Sequence, residues 1–145
     1  MKKTLSTILA LALMLTMLCI PVAASAEQPS ADVKIEPRYE EASRISLLMY
    51  ISEDGEATVQ ATCIGKSDVT KIHAEVYLEK KVSYFWIRVV NPDGSPSWED
   101  TMEGILFTKE YTRDLIGSGD YRATVNFTLY GDTTETVTAT AYKSY

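Results

Sequence analysis

Cysteine is almost missing from this sequence. The 145 residues hold two, Cys19 and Cys63. Cys19 lies in an N-terminal apolar run that reads as a cleaved leader, which leaves Cys63 as the one thiol of the remaining chain. An intramolecular disulfide is then excluded, and a fold of this size must rest on packing alone. Histidine is scarcer still, with His73 the only one. One His and one Cys cannot assemble a structural zinc site. A nucleophilic triad needs an oriented histidine within reach of a nucleophile, and no flanking signature surrounds any serine here. Basic charge is also short. Once Lys2 and Lys3 leave with the leader, twelve basic residues face twenty acidic ones. That balance excludes the basic footprint that nucleic acid or anionic lipid would need. After residue 26 there is no long apolar run, so no transmembrane segment is expected in the mature chain.

The leader itself is well marked. Lys2 and Lys3 supply the positive start, and Leu9 to Ile20 is apolar apart from Thr16. Pro21 breaks the run, and Ala24-Ser25-Ala26 gives the small-residue cleavage site. The spacing predicts a signal peptide over 1–26 and a secreted, extracellular product starting at Glu27. Lipid attachment at Cys19 is the weaker alternative, because Leu18 is bulky where such sites want a small residue. Residues 27–41 are polar, carry Pro29 and Pro37 and show no period, as in an extended lead. The domain proper is expected over 42–145.

Within that domain, apolar residues recur at every second position. Ile45 to Ile51 and Ala57 to Cys63 alternate on either side of Glu53-Asp54-Gly55, a hairpin signal. Ile72 to Leu78 forms a third alternating segment, with Glu79-Lys80-Lys81 as a turn into a fourth at 83–90. Asn91-Pro92-Asp93-Gly94-Ser95-Pro96 is the strongest breaker, and the polar stretch after it reads as loop. Further strands are expected at 105–112, 121–129 and 137–141. Seven short strands spaced by turns predict an all-β fold: a seven-stranded antiparallel immunoglobulin-like β-sandwich. A small open barrel is the alternative. Cys63 shares the apolar face of Ala57, Val59 and Ala61, which makes it a structural, buried thiol.

Gly119-Asp120-Tyr121-Arg122, just ahead of the cleanest alternation, resembles the late-strand corner of immunoglobulin-like and fibronectin type III-like domains. The resemblance implies a structural role for Tyr121, with its hydroxyl bonded to the preceding loop. A wider resemblance rests on Pro37-Arg38-Tyr39, Gly55-Glu56-Ala57-Thr58, Val69-Thr70-Lys71-Ile72, Tyr77-Leu78-Glu79-Lys80-Lys81, Trp86 and the same corner. Together these are similar to a family of small secreted proteins of Gram-positive, clostridia-like bacteria, defined only as a domain of unknown function. That resemblance implies a bacterial exported β-sandwich and carries no catalytic residue. The Ser95–Glu103 segment departs from the family by being longer and more acidic.

Paired carboxylates at Glu40-Glu41, Glu53-Asp54 and Glu99-Asp100 could serve glycoside hydrolysis, but their positions in turns and tails suit solvated punctuation better. No spaced Asp-x-Asp pattern supports calcium, so no metal and no cofactor is expected. The aromatics are the best sign of binding: nine Tyr and two Trp, all after residue 26. Trp98 is the first candidate contact because its neighbours Ser97, Glu99 and Asp100 are polar. Trp86 and Tyr84 follow. In a regular pleat Trp86 shares a face with Tyr84 and Arg88, opposite Phe85, Ile87 and Val89. A bulge that turns Trp86 into the core is the favoured placement. The function expected is a secreted non-enzymatic module that binds a protein or an envelope glycan outside the cell. A secreted hydrolase acting on cell-wall polymers, or a purely structural accessory domain, is the alternative.

Overall fold

Alternating apolar residues can all be buried only if one face of each strand meets a second layer. The computed structural model describes residues 34–35 and 39–145 and shows that arrangement. The expected signal peptide over 1–26 and most of the lead lie outside the described residues. Nine strands follow in order: β1 (Lys34–Ile35), β2 (Ala42–Ile51), β3 (Glu56–Gly65), β4 (Lys71–Val82), β5 (Phe85–Arg88), β6 (Trp98–Glu103), β7 (Leu106–Asp114), β8 (Asp120–Tyr130) and β9 (Thr134–Ser144). No helix occurs among the described residues.

The strands form two antiparallel sheets. The smaller has the order β2-β3-β7, and the larger runs β1-β9-β8-β4-β5 with β6 also paired to β4. Because β8 pairs with β4 along 71–80, β5 and β6 must share the opposite edge of β4. There β6 pairs with residues 71–76 and β5 with 79–82. The sandwich is therefore an immunoglobulin-like one with sheets of unequal width.

The seven expected strands are present, and two more are added. β1 is a two-residue pairing in the lead, against Ala139 and Thr140 of β9. β6 occupies half of the stretch expected to be loop. The expected turn at Glu79-Lys80-Lys81 is strand as well. β4 continues to Val82, and the chain reverses at Ser83-Tyr84. Charge at 79–81 suggested a turn, but these residues sit where β4 passes the edge of the smaller sheet. Glu79 is still buried there, and exposure begins only with Lys80, Lys81 and Val82.

The core follows period two in every strand but β5. Leu47, Met49, Val59, Ala61 and Cys63 of the smaller sheet face Ile72, Val76, Leu78, Val125, Phe127 and Leu129 of the larger, all buried. Phe107 meets Phe127 edge-on at 5.5 Å between ring centroids. Each fully buried side chain of this size contributes roughly 1.5–3 kcal/mol. Burial pushes the Cys63 thiol up to about 12, with the charge of Glu135 adding to the effect. A neutral, inert thiol follows.

Two acidic side chains of the larger sheet clamp the seams. On one side Glu135 of β9 accepts the backbone N–H groups of Glu40 at 2.9 Å, Glu41 at 2.7 Å and Ala42 at 3.3 Å. This ties β9 to the start of β2. On the other side Asp100 of β6 meets Lys109 at 2.5 Å and accepts the Tyr111 hydroxyl at 3.0 Å, which ties β6 to β7. Asp100 had read as solvated loop; it is strand and bridges the sheets.

Candidate binding face

The unequal widths set up the site. Along β4 the inward residues Ile72, Ala74, Val76 and Leu78 are buried, and the next two on that face are Lys80 and Val82. Register then fixes β5. Phe85 pairs with Val82 and Ile87 with Lys80, so both share the inward face, whereas Trp86 pairs with Lys81 and Arg88 with Glu79 on the outward face. No strand of the smaller sheet covers this end. Phe85 is 72% exposed, Ile87 53% and Tyr84, at the tip, 90%. Val82, Val90 and Ile116 are exposed beside them.

The turn that presents Tyr84 is strained. Ser83 is the one non-glycine residue at positive φ among those described, at 57°. Positive φ at the first of two turn residues is the type II′ pattern, normally a glycine position. A backbone held this way at an exposed tip is a feature found at binding and active sites.

The inward face of the hairpin forms an open apolar groove of about 440 Å³ with the loop after β7. Val82, Ile87, Val89, Val90 and Ile116 line it. Its floor is Tyr121, fully buried, whose hydroxyl donates to the carbonyls of Gly117 at 2.6 Å and Ile116 at 3.0 Å. Lys80 lies 5.3 Å above the Tyr121 ring and donates to the same Ile116 carbonyl at 2.6 Å. The groove walls are thus fixed by the tyrosine corner.

The outward face is different. Trp86 meets Tyr142 edge-on at 5.9 Å, and the Arg122 guanidinium sits 4.6 Å from its ring. Arg122 is itself held by Glu79 at 2.5 Å, a bond that raises its pKa. Arg88 lies 3.7 Å over Tyr77 and pairs with Glu75 at 3.5 Å. Lys81, Asp120, Tyr142 and Lys143 edge a second open cleft beside Trp86, also about 440 Å³. The expected bulge is absent. The pleat is regular, and Trp86 stands half-buried on the outer surface rather than in the core.

Trp98 is placed elsewhere. It opens strand β6 rather than lying in a loop, and stacks on Tyr111 at 5.3 Å with 26° between the rings. It pairs with Val76, five residues along β4 from the partner of Trp86, or roughly 17 Å at strand rise. The structure brings Tyr84 and Trp86 onto one hairpin and leaves Trp98 at a seam between the sheets. Phe85, Ile87, Val90 and Ile116 join the candidate face although alternation alone assigns Phe85 and Ile87 to the core. His73 lies on the outer face, 3.0 Å from the Thr101 hydroxyl. No group of three or more His, Cys, Asp or Glu is gathered for a metal among the described residues.

No protein-family model matches this sequence, and none of the curated proteins does. Among solved structures, chicken MD-1 complexed with lipid IVa is similar over 79% of this chain and 99% of that one. The identity is 12% and the TM-score 0.33.

Proposed function

We propose that this chain is a non-enzymatic binding module that works outside the cell and engages a partner protein through the β4–β5 hairpin. One observation carries the reading: Val82, Tyr84, Phe85, Ile87, Val90 and Ile116 form one exposed apolar group around a four-residue edge strand. Apolar groups of this extent on a soluble domain usually mark contact surfaces. Among the described residues β5 ends its sheet, and that edge offers backbone groups that a partner strand can meet. Phe85 and Tyr84 are the natural anchors, since a few aromatic residues carry most binding energy.

An envelope glycan is the second reading, and Trp86 favours it. Its ring stands beside Tyr142 with Lys81, Asp120 and Lys143 around a cleft, a combination of flat aromatic surface and polar groups that suits sugars. The hydrolase alternative is weaker because two of its candidate carboxylates have structural duties. Asp100 is bound to Lys109 and Tyr111, and Glu41 accepts from Thr133.

Capture from an envelope preparation separates these readings. The double variant Phe85→Ser, Ile87→Ser is expected to melt close to the parent yet lose capture, and protease treatment of the preparation is expected to abolish it. Capture that survives protease but is lost in Trp86→Ala overturns the protein reading in favour of the glycan.

A further inference from the structure

Most strand edges of this sandwich are closed. Glu135 clamps β9 to the start of β2, Asp100 clamps β6 to β7, and β1 is a two-residue pairing. Among the described residues β5 ends the larger sheet with no further strand beside it. It also lacks the devices that usually protect such an edge. Its pleat is regular, it holds no proline, and Arg88 is its one charge. β6, on the same side of β4, is the contrast, with Glu99, Asp100 and Glu103 along it.

Register fixes which backbone groups of β5 point outward. The two-residue turn Ser83-Tyr84 makes Val82 and Phe85 a hydrogen-bonded pair. Bonding then alternates, so Ile87 and Val89 also turn their N–H and C=O groups toward β4. The Val89 N–H, which donates to the Leu78 carbonyl at 2.8 Å, keeps that phase. Trp86 and Arg88 therefore direct their backbone groups toward the open edge. Set against itself, antiparallel about a twofold axis at Ile87, this strand is self-complementary. Phe85 stands opposite Val89 of the second copy, Ile87 opposite Ile87, and Trp86 opposite Arg88. The inward face is then apolar throughout, and the outward face sets a ring beside a guanidinium on each side of the axis. Each Trp86–Arg88 pair exchanges both of its N–H···O bonds, and no like charges oppose. A shift by one residue turns the apolar faces to opposite sides of the sheet, and moving the axis to Trp86 sets Ser83 against Val89.

We propose that β5 pairs with β5 of a second copy of this chain in that register, joining the two larger sheets into one. The proposal rests on the reading of the hairpin as a protein-contact surface and names its partner. Pairing along one short edge covers roughly half of the ~800 Å² per partner of a standard interface, so the dimer is weak and reversible. The excess of acidic residues on each chain opposes the contact, and added salt therefore strengthens it.

Sedimentation equilibrium of the protein over a concentration series tests the pairing. A monomer–dimer equilibrium with Kd of roughly 10⁻⁵–10⁻⁴ M is expected, tighter at high salt. Ile87→Lys puts two ammonium groups face to face on the axis and should weaken it tenfold or more. At dilute concentration that variant should melt with the parent, because Ile87 is 53% exposed. In oxidised glutathione, Ile87→Cys should cross-link into dimers, whereas Phe85→Cys, whose copies lie at opposite ends of the paired strands, should not. Cys63 is buried and adds no background. A parent that stays monomeric up to roughly 1 mM overturns the second copy. If capture from the envelope preparation is then still lost in Phe85→Ser, Ile87→Ser, the hairpin reading stands without it; if capture is unchanged, both fall. A dimer that Ile87→Lys leaves intact, or equal cross-linking by the two cysteine variants, also overturns the pairing.

Discussion

At the residue scale, Tyr121 shows how much a single side chain can hold. Its ring is fully buried under Lys80 while its hydroxyl closes the loop ahead of β8. Tyr121→Phe keeps the ring and forfeits those bonds, for about 1–1.5 kcal/mol. Tyr121→Ala also empties the core position, for about 3–5 kcal/mol. Urea melts of the two variants are expected to separate clearly, and equal, negligible losses would contradict the corner. This residue was legible because a glycine-rich loop, a tyrosine and a clean alternation stand in order. Glu41, expected to be a solvated acid but 4% exposed, was not. Nothing in a run of two glutamates tells which will be lifted out of water by a carboxylate 94 positions later, as Glu135 does for the Glu41 backbone.

At the scale of elements, β6 carries the main surprise. Its side chains alternate in exposure: Trp98, Asp100 and Met102 are half-buried, while Glu99, Thr101 and Glu103 are exposed. The period was present in the sequence, but acidic residues occupy both faces, and an edge strand needs only one side partly covered. A polar segment of that kind reads as loop until its partner is known. Trp98→Ala is accordingly expected to cost about 2–3 kcal/mol, below the ~3–5 of a fully buried aromatic, because the stack on Tyr111 and the seam go together. Trp86→Ala, outside the core, should cost only about 0.5–1 kcal/mol. Chemical denaturation of the pair checks the order, and the reverse order would contradict the placement of both rings. For β5 the difficulty was the opposite. Phe85 and Ile87 alternate as core residues do, and alternation cannot report that the facing sheet ends before it reaches them.

At the scale of the molecule, the described residues hold together without a disulfide, with two acid clamps closing the seams between sheets. Cys63 makes the integrity of the whole measurable. Its thiol is neutral and fully enclosed, so a thiol reagent at pH 8 should label it only as fast as the domain opens, and rapidly in denaturant. Fast labelling of the native protein would contradict the burial. The pH dependence follows in sign. The folded pKa, about 12, lies above the ordinary value of 9.0. The contribution is complete below 9 and is lost as pH rises from 9 toward 12, because only the unfolded chain then releases the proton. Stability should fall over that window in the parent and fall less in Cys63→Ala.

The overhang of the larger sheet has a consequence for how this molecule can change. From Val82 to Val90 the chain supports little of the core, and the groove floor is supplied by Tyr121 from the neighbouring strand β8, on the same inward face as Lys80. Scaffold and exposed hairpin are thus separable. Substitution, lengthening or exchange of the hairpin alters the exposed apolar face while the packed layers stay as they are. On the proposed reading, a copy of this domain acquires a new partner through a handful of residues, with folding left almost untouched.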